Sequence, residues 1–212
     1  MTQLVWYASY GSNLLKNRFL CYIQGGIPKG TIQQYIGCSD ITPPIENEQI
    51  IIPHQLYFAE HSSVWEGAGV AFIKWVRDEN VKTLGRMYLI KKTQFVEVVR
   101  QENARKPNDP SIDINFEATI TNGFSEIQGN WYRRIIFLGT KNGYPIFTFT
   151  AQWLDRDIIL NPPGVKYLKT IIHGIQETYS LSEDRIVDYV KCLAGISDHY
   201  STEQLRRIVR KA

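Results

Sequence analysis

Thiol and imidazole chemistry are thinly represented in this sequence. Its three cysteines, Cys21, Cys38 and Cys192, lie far apart and form no CxxC pair. That argues against a disulfide framework and against a thiolate zinc site. The four histidines, His54, His61, His173 and His199, show no HExxH spacing, so each reads as a surface or packed side chain rather than a ligand. No apolar run approaches the length of a membrane span. The first residues lack a basic start and a long apolar stretch, so no secretory leader is expected. The net charge of +3 comes without dense Lys/Arg clustering, which argues against a nucleic-acid surface. The basic end from Arg206 to Lys211 reads as a solvated helix face with cations near a helix C-terminus. A reducing cytoplasm, with neither nucleic acid nor membrane as partner, fits these absences.

The 212 residues, 43% hydrophobic and 21% charged, describe a globular chain long enough for one good core and an appendage. The first three-quarters is strand-rich. Leu4 to Ala8 reads as a short buried strand, and Leu15 to Ile23 as partly helical up to Gly25-Gly26. Thr31 to Cys38, Gln49 to Glu60, Gly67 to Val76 and Thr83 to Ile90 carry strand-forming residues, with Pro53 marking an edge or a bulge. A helix is predicted from Thr93, as N-cap, to about Ala104, and a further strand near Phe116 to Thr121. Trp131 to Thr140 and Tyr144 to Gln152 form a hairpin, because Asn142-Gly143 supplies the positive φ values of a tight turn.

From Asp155 the character changes to helical. Pro162-Pro163 opens a helix with the stripe Val165, Leu168, Ile172 and Ile175. Ser180 to Glu183 reads as a capping box for a second helix, and Ser201 with Gln204 starts a third. The expected division is a β core over residues 1–153 and an α-helical extension packed on it over 154–212.

Two places carry candidate chemistry. The opening strand runs into Tyr10, Gly11, Ser12, Asn13 and Leu14. Gly11 permits a tight turn and a close approach to the main chain. The N–H groups and side chains of Ser12 and Asn13 can converge on an anion or a polarised carbonyl oxygen. The same run also reads as a solvated turn. The second place is the helix of Phe95, Val98 and Val99, whose spacing defines a buried stripe. Glu102 lies seven residues beyond Phe95, within about 20° of two whole turns, so it continues that face while Glu97 and Arg100 point elsewhere. A carboxylate on an inward stripe suits a general acid or base. It also reads as a helix-end side chain reaching solvent, or pairing with Arg105 or Arg133.

At this point the chain resembles the γ-glutamylcyclotransferase-like superfamily. Tyr10 to Leu14, YGSNL, is similar to that family's signature loop. Further likenesses follow in order. Gly67 to Ile73 looks like the family's Gly-rich strand, and Gly85 to Tyr88 with the helix ending in Glu102 like the elements that deliver its catalytic glutamate. Trp131 to Ile135, through Gly139 to Pro145, looks like its late hairpin. The resemblance covers roughly residues 4 to 150. Asn103 and Val99 stand where the family has a Gly after the glutamate and an Asp three residues before it. Asn tolerates a left-handed helix end and so replaces Gly there; the absent Asp bears on the surroundings of Glu102.

The resemblance implies an α+β fold: a mixed, mostly antiparallel, barrel-like β core with one inserted catalytic helix and a helical C-terminal extension. It implies an enzyme that cleaves a γ-glutamyl amide by attack of the substrate's own α-amine, giving 5-oxoproline and a free amine or amino acid. Glu102 is then the proton shuttle. Tyr10, Gly11, Ser12, Asn13 and Leu14 bind substrate with Tyr132, which also reads as a cross-strand aromatic. Trp65 reads as cleft, surface or core. Of Arg133 and Arg134, only one can face a pocket on alternating strand positions. Neither metal nor cofactor is needed, and the partner is a small γ-glutamyl molecule. Two other functions fit the residues: hydrolysis of an acyl amide by water activated at the same glutamate, and non-catalytic binding on this fold. The three C-terminal helices are expected to form a lid, a specificity wall or a dimer surface, so a homodimer is among the expected assemblies.

Overall fold

The structure, a computed structural model, describes residues 3–29, 31–153 and 157–212. The expected boundary at 153/154 and the change at Asp155 fall at or within the segment outside them. The chain divides into two compact units: Met1–Ser9, Asn17–Ile50 and Arg86–Gln152 form the first, and Tyr10–Lys16, Ile51–Gly85 and Trp153–Ala212 form the second.

The strands are β1 (Leu4–Ser9), β2 (Glu46–Ile52), β3 (Leu56–Ser62), β4 (Ala68–Ile73), β5 (Thr83–Lys91), β6 (Phe124–Glu126), β7 (Arg134–Lys141) and β8 (Tyr144–Thr150). The helices are α1 (Lys16–Gln24), α2 (Lys92–Glu102), α3 (Phe116–Asn122), α4 (Val165–Thr178), α5 (Glu183–Lys191) and α6 (Thr202–Arg210). A six-stranded sheet runs in the order β2-β5-β1-β8-β7-β6. β1 pairs antiparallel with β5 and parallel with β8, so the sheet is mixed and mostly antiparallel, as an α+β core requires. Among the described residues it ends at β2 and β6 and does not close into a barrel.

In the first unit, Tyr7 and Tyr88 face each other across the β1–β5 register. Phe149 stacks on Tyr7 at 5.3 Å between ring centres. α1 lays Phe19 on Tyr88 at 4.1 Å, and α2 lays Phe95 on Tyr7 at 5.9 Å. Burial of these large rings is the main stabilising term for this layer. The β7–β8 hairpin turns at Asn142 (φ 51°) and Gly143 (φ 79°), with Lys141 opposite Tyr144. Both residues carry the left-handed φ that the Asn-Gly pair predicts.

In the second unit, β3 and β4 form a ribbon with an irregularity between Ala59 and Ser62, where Glu60 takes φ 65°. Tyr167 of α4 accepts the Ala71 N–H at 3.0 Å and packs its ring 4.8 Å from Trp65. Trp65 is therefore a core residue. Tyr179 accepts from Gly85 N and donates to Gly85 O, and Tyr189 accepts from Leu84 N, which ties the ends of α4 and α5 to the start of β5.

Several expectations change. Phe116 to Thr121 is helix rather than strand: Asn115 caps Ala118 N–H at 3.0 Å and Gly123 ends the turn in the left-handed region. This cap outweighs the local β propensity. Among the described residues, Thr31 to Cys38 forms a single bridge, Gly26 to Tyr35, rather than a strand. Gln49 to Glu60 is two strands, because the chain breaks at Pro53 between β2 and β3. α2 begins at Lys92, and its N-cap is Lys91 with Gln94, not Thr93. α4 starts after Gly164, and Val165 is exposed rather than part of the stripe. Ser182, not Ser180, caps α5 by accepting from Arg185 N–H. The Ser201–Gln204 capping box stands as read.

Candidate active site

The second unit holds the signature loop. Tyr10, Asn13 and Leu14 are buried, while Gly11 and Ser12 are half-exposed. Ser12–Leu14 form a single 3-10 turn, closed by Leu14 N–H to Gly11 O at 3.0 Å. Gly11 has φ −106° and ψ −144°, so a left-handed backbone is not why glycine stands there. A Cβ at this position would lie 3.2 Å from Tyr167 Oη and 3.4 Å from Ala71 Cβ. The small residue is needed for close approach. From the other side, Gly174 of α4 sits so close that a Cβ would fall 2.5 Å from Leu14 Cβ and Leu15 N. The C-terminal helix α4 thus clamps the loop inside this unit.

The first unit holds Glu102 and Tyr132. Glu102 is the last residue of α2 and is half-buried. Asn103, fully buried, fixes that helix end. Its Nδ2 donates to Val99 O at 3.0 Å and to Tyr132 O at 2.9 Å. Its Oδ1 accepts from Asn130 N–H at 2.8 Å and from Tyr132 N–H at 3.2 Å. The chain approaches so tightly at Gly129 that a Cβ there would lie 2.7 Å from Asn103 Oδ1. Asn103 itself has φ −93°; the left-handed position is Ala104 at φ 55°. Asn103 therefore serves through its side-chain amide, not through tolerance of a left-handed turn. Tyr132 is buried, its ring edge-on to Phe149 at 5.2 Å, which is its packing role.

A polar cluster that sequence reasoning missed lies against the end of α2, where Gln101 Nε2 donates to Tyr22 O at 2.9 Å. Arg18 and Tyr22, four apart on one face of α1, are both buried. Arg18 Nη2 donates to Tyr35 Oη at 2.8 Å, and Tyr22 Oη donates to Tyr35 Oη at 3.2 Å. The two phenol rings pack at 4.2 Å. Burial, and then the negative charge of Glu102, hold Tyr22's ionisation well above its usual range. Burial raises Tyr35 too, with the Arg18 charge opposing and the Glu102 charge adding. Both phenols are thus protonated near neutrality and lie within the field of the Glu102 carboxylate. Arg18 and Tyr22 were legible only as helix positions, and Tyr35 was read into a strand.

Glu97, the other acidic side chain of α2, is buried away from the Phe95 stripe, where it accepts the Ser39 N–H at 2.7 Å. The segment around Ser39 and Thr42 covers that side of α2, with Gln94 donating to Asp40 O and Thr42 O. Arg100 binds Ile112 O and Pro107 O and has a structural role. Of the two strand arginines, Arg134 is buried and Arg133 exposed, and Arg134 pairs with Glu126 under the Phe124 ring. Among the described residues, no group of three or more His, Cys, Asp or Glu is placed to hold a metal ion. Among the same residues, no helix is long and apolar enough to cross a membrane.

A solved structure titled γ-glutamyl cyclotransferase superposes over 99% of this chain and 100% of its own, with TM-score 0.51 and 16% identity. The chain has the γ-glutamyl cyclotransferase fold. An uncharacterized human protein aligns with this cyclotransferase-fold chain at TM-score 0.49 and 16% identity, covering 98% of this chain and 99% of its own. In sequence, the chain is 34% identical over 198 residues to a curated relative, histone deacetylase 5 of Arabidopsis thaliana. The match takes in 88% of this chain but spans only 30% of that protein's length. No family model matches the chain.

Proposed function

We propose that the protein cleaves a γ-glutamyl amide by internal cyclisation, releasing 5-oxoproline and a free amine or amino acid. The substrate's α-amine attacks the γ-carbonyl carbon and forms the lactam C–N bond. Glu102 takes the proton that the amine must lose, then returns it to the leaving nitrogen as the amide bond breaks. The Gly11-Ser12-Asn13 backbone and side chains hold the carbonyl oxygen as it gains negative charge, with Tyr10 and Leu14 fixing the loop and Tyr132 walling the site. Folding the flexible glutamyl chain so that amine and carbonyl touch is the largest contribution, up to about 7–11 kcal/mol in favourable cases. The chemistry uses a small-molecule partner and calls for no metal or cofactor, and we place it in a reducing cytoplasm.

One observation carries this reading. YGSNL follows the first strand, and a glutamate ends the helix after β5, on the fold of a cyclotransferase. The experiment is to incubate the chain with a panel of γ-glutamyl amino acids, peptides and polyamines and to identify products by mass spectrometry. Release of 5-oxoproline from any member supports the proposal; no product from any member opposes it.

A second reading is favoured by the sequence relative named as a histone deacetylase. Glu102 would then activate water and hydrolyse an acyl amide. Free glutamate or another free acid, without 5-oxoproline, marks that outcome.

A further inference from the structure

We propose that Tyr35 is a substrate-binding residue that recognises the α-carboxylate of the γ-glutamyl group, loaded for that task by Arg18 and Tyr22. This rests on the placement of the reaction at Glu102. The hydroxyl of Tyr35 accepts two hydrogen bonds, from Arg18 Nη2 at 2.8 Å and from Tyr22 Oη at 3.2 Å. A phenol oxygen has room for those two acceptances and one donation. Both acceptor sites are filled, so the proton of Tyr35 is left to donate, and among the described residues no hydrogen bond takes it up. A hydroxyl that accepts from a guanidinium is a stronger donor, because the bonds of a chain polarise one another. Tyr35 is half-exposed, whereas Arg18 and Tyr22 behind it are buried. The cluster therefore delivers the positive character of Arg18 outward through a single O–H.

The charges of the cluster complement the head of a glutamyl substrate. Ammonium and carboxylate sit on one carbon of that head. The Glu102 carboxylate attracts the ammonium whose proton it must take. The Arg18–Tyr35 pair, joined through Tyr22 to the end of α2 by Gln101 Nε2 donating to Tyr22 O at 2.9 Å, offers the donor that the neighbouring anion needs. One acidic and one cationic partner side by side read both charges of a free amino-acid head and reject a neutral one.

The test uses the full chain and two small probes, 5-oxoproline and its carboxamide 5-oxoprolinamide, which differ only in the carboxylate. Dissociation constants are measured for the unaltered chain, Tyr35→Phe and Tyr22→Phe. Tyr35→Phe keeps the ring that packs on Tyr22 and removes only the hydroxyl. It is expected to weaken 5-oxoproline about 10- to 100-fold, the loss of one hydrogen bond to a charged group, and to leave the carboxamide unchanged. Tyr22→Phe, which removes only a bond to Tyr35, is expected to cost 5-oxoproline less than Tyr35→Phe does. A Tyr35→Phe chain that still prefers 5-oxoproline to its carboxamide as strongly as the unaltered chain overturns the assignment and leaves the functional proposal standing. An equal loss for both probes shows a structural role and overturns it too. An unaltered chain that cleaves no γ-glutamyl amide and binds neither probe overturns the functional proposal and this assignment together.

Discussion

Asn103 and Tyr132 bind each other twice: Asn103 Nδ2 donates to Tyr132 O at 2.9 Å, and Tyr132 N–H donates to Asn103 Oδ1 at 3.2 Å. The pair joins the end of the helix that carries Glu102 to the segment leading into β7. The residue after the candidate catalytic glutamate thus sets where that glutamate stands.

Asn103→Ala should destabilise the chain by about 1–3 kcal/mol, because it leaves the buried Tyr132 amide without its acceptor and removes the bond to the Asn130 amide. Gly129→Ala should act on the same contact, since its Cβ would lie 2.7 Å from Asn103 Oδ1. Urea denaturation of both single variants and the double variant checks this. The double variant is expected to cost less than the sum, as residues that share one contact do.

Gly174→Ala tests the clamp of α4 on the signature loop. In an open helix, alanine would gain up to about 1 kcal/mol over glycine. Here the new Cβ would fall 2.5 Å from Leu14 C, Leu14 Cβ and Leu15 N. Overpacking of this kind costs about 1–3 kcal/mol or more, so the net effect is a loss. A thermal melt decides: the midpoint should fall, and a rise would contradict the clamp.

His54 predicts an acid-side loss of stability. It is buried, with Nδ1 2.9 Å from Lys74 O, and Thr83 Oγ1 donates to its carbonyl. Burial lowers its pKa below the ordinary 6.5, with the backbone bonds at Lys74 and Val76 and the Glu79 charge opposing and the Arg77 charge adding. The folded chain therefore binds the proton more weakly than the unfolded chain. His54's contribution is complete above about pH 6.5 and declines as pH falls through the folded value. Denaturation midpoints from pH 7.5 to 5 should drop for the unaltered chain and drop less for His54→Asn.

What could be read from the sequence depended on how local the cause was. The Asn142-Gly143 hairpin and the Ser201–Gln204 cap were legible because a few adjacent residues dictate them. α3 was misread because alternating Phe116, Ala118 and Ile120 mimic a strand, while the deciding signals, Asn115 and Gly123, lie outside that run. Among the candidate residues, the loop and Glu102 stood out through order and helical phase. Helical phase set Glu97 off the apolar stripe but could not reveal that the chain around Ser39 covers that side of α2. Tyr35 had no local signal at all. Its importance comes from Arg18 and Tyr22, brought to it by the fold.

The two glutamates of α2 allow the most direct test of the account. Glu102→Gln and Glu97→Gln are each assayed for release of 5-oxoproline from whichever γ-glutamyl amide the unaltered chain turns over, per folded molecule. The account predicts a loss of at least about 10²-fold for Glu102→Gln, the scale of general acid–base catalysis, and near-normal turnover for Glu97→Gln. Undiminished 5-oxoproline release by Glu102→Gln would contradict it.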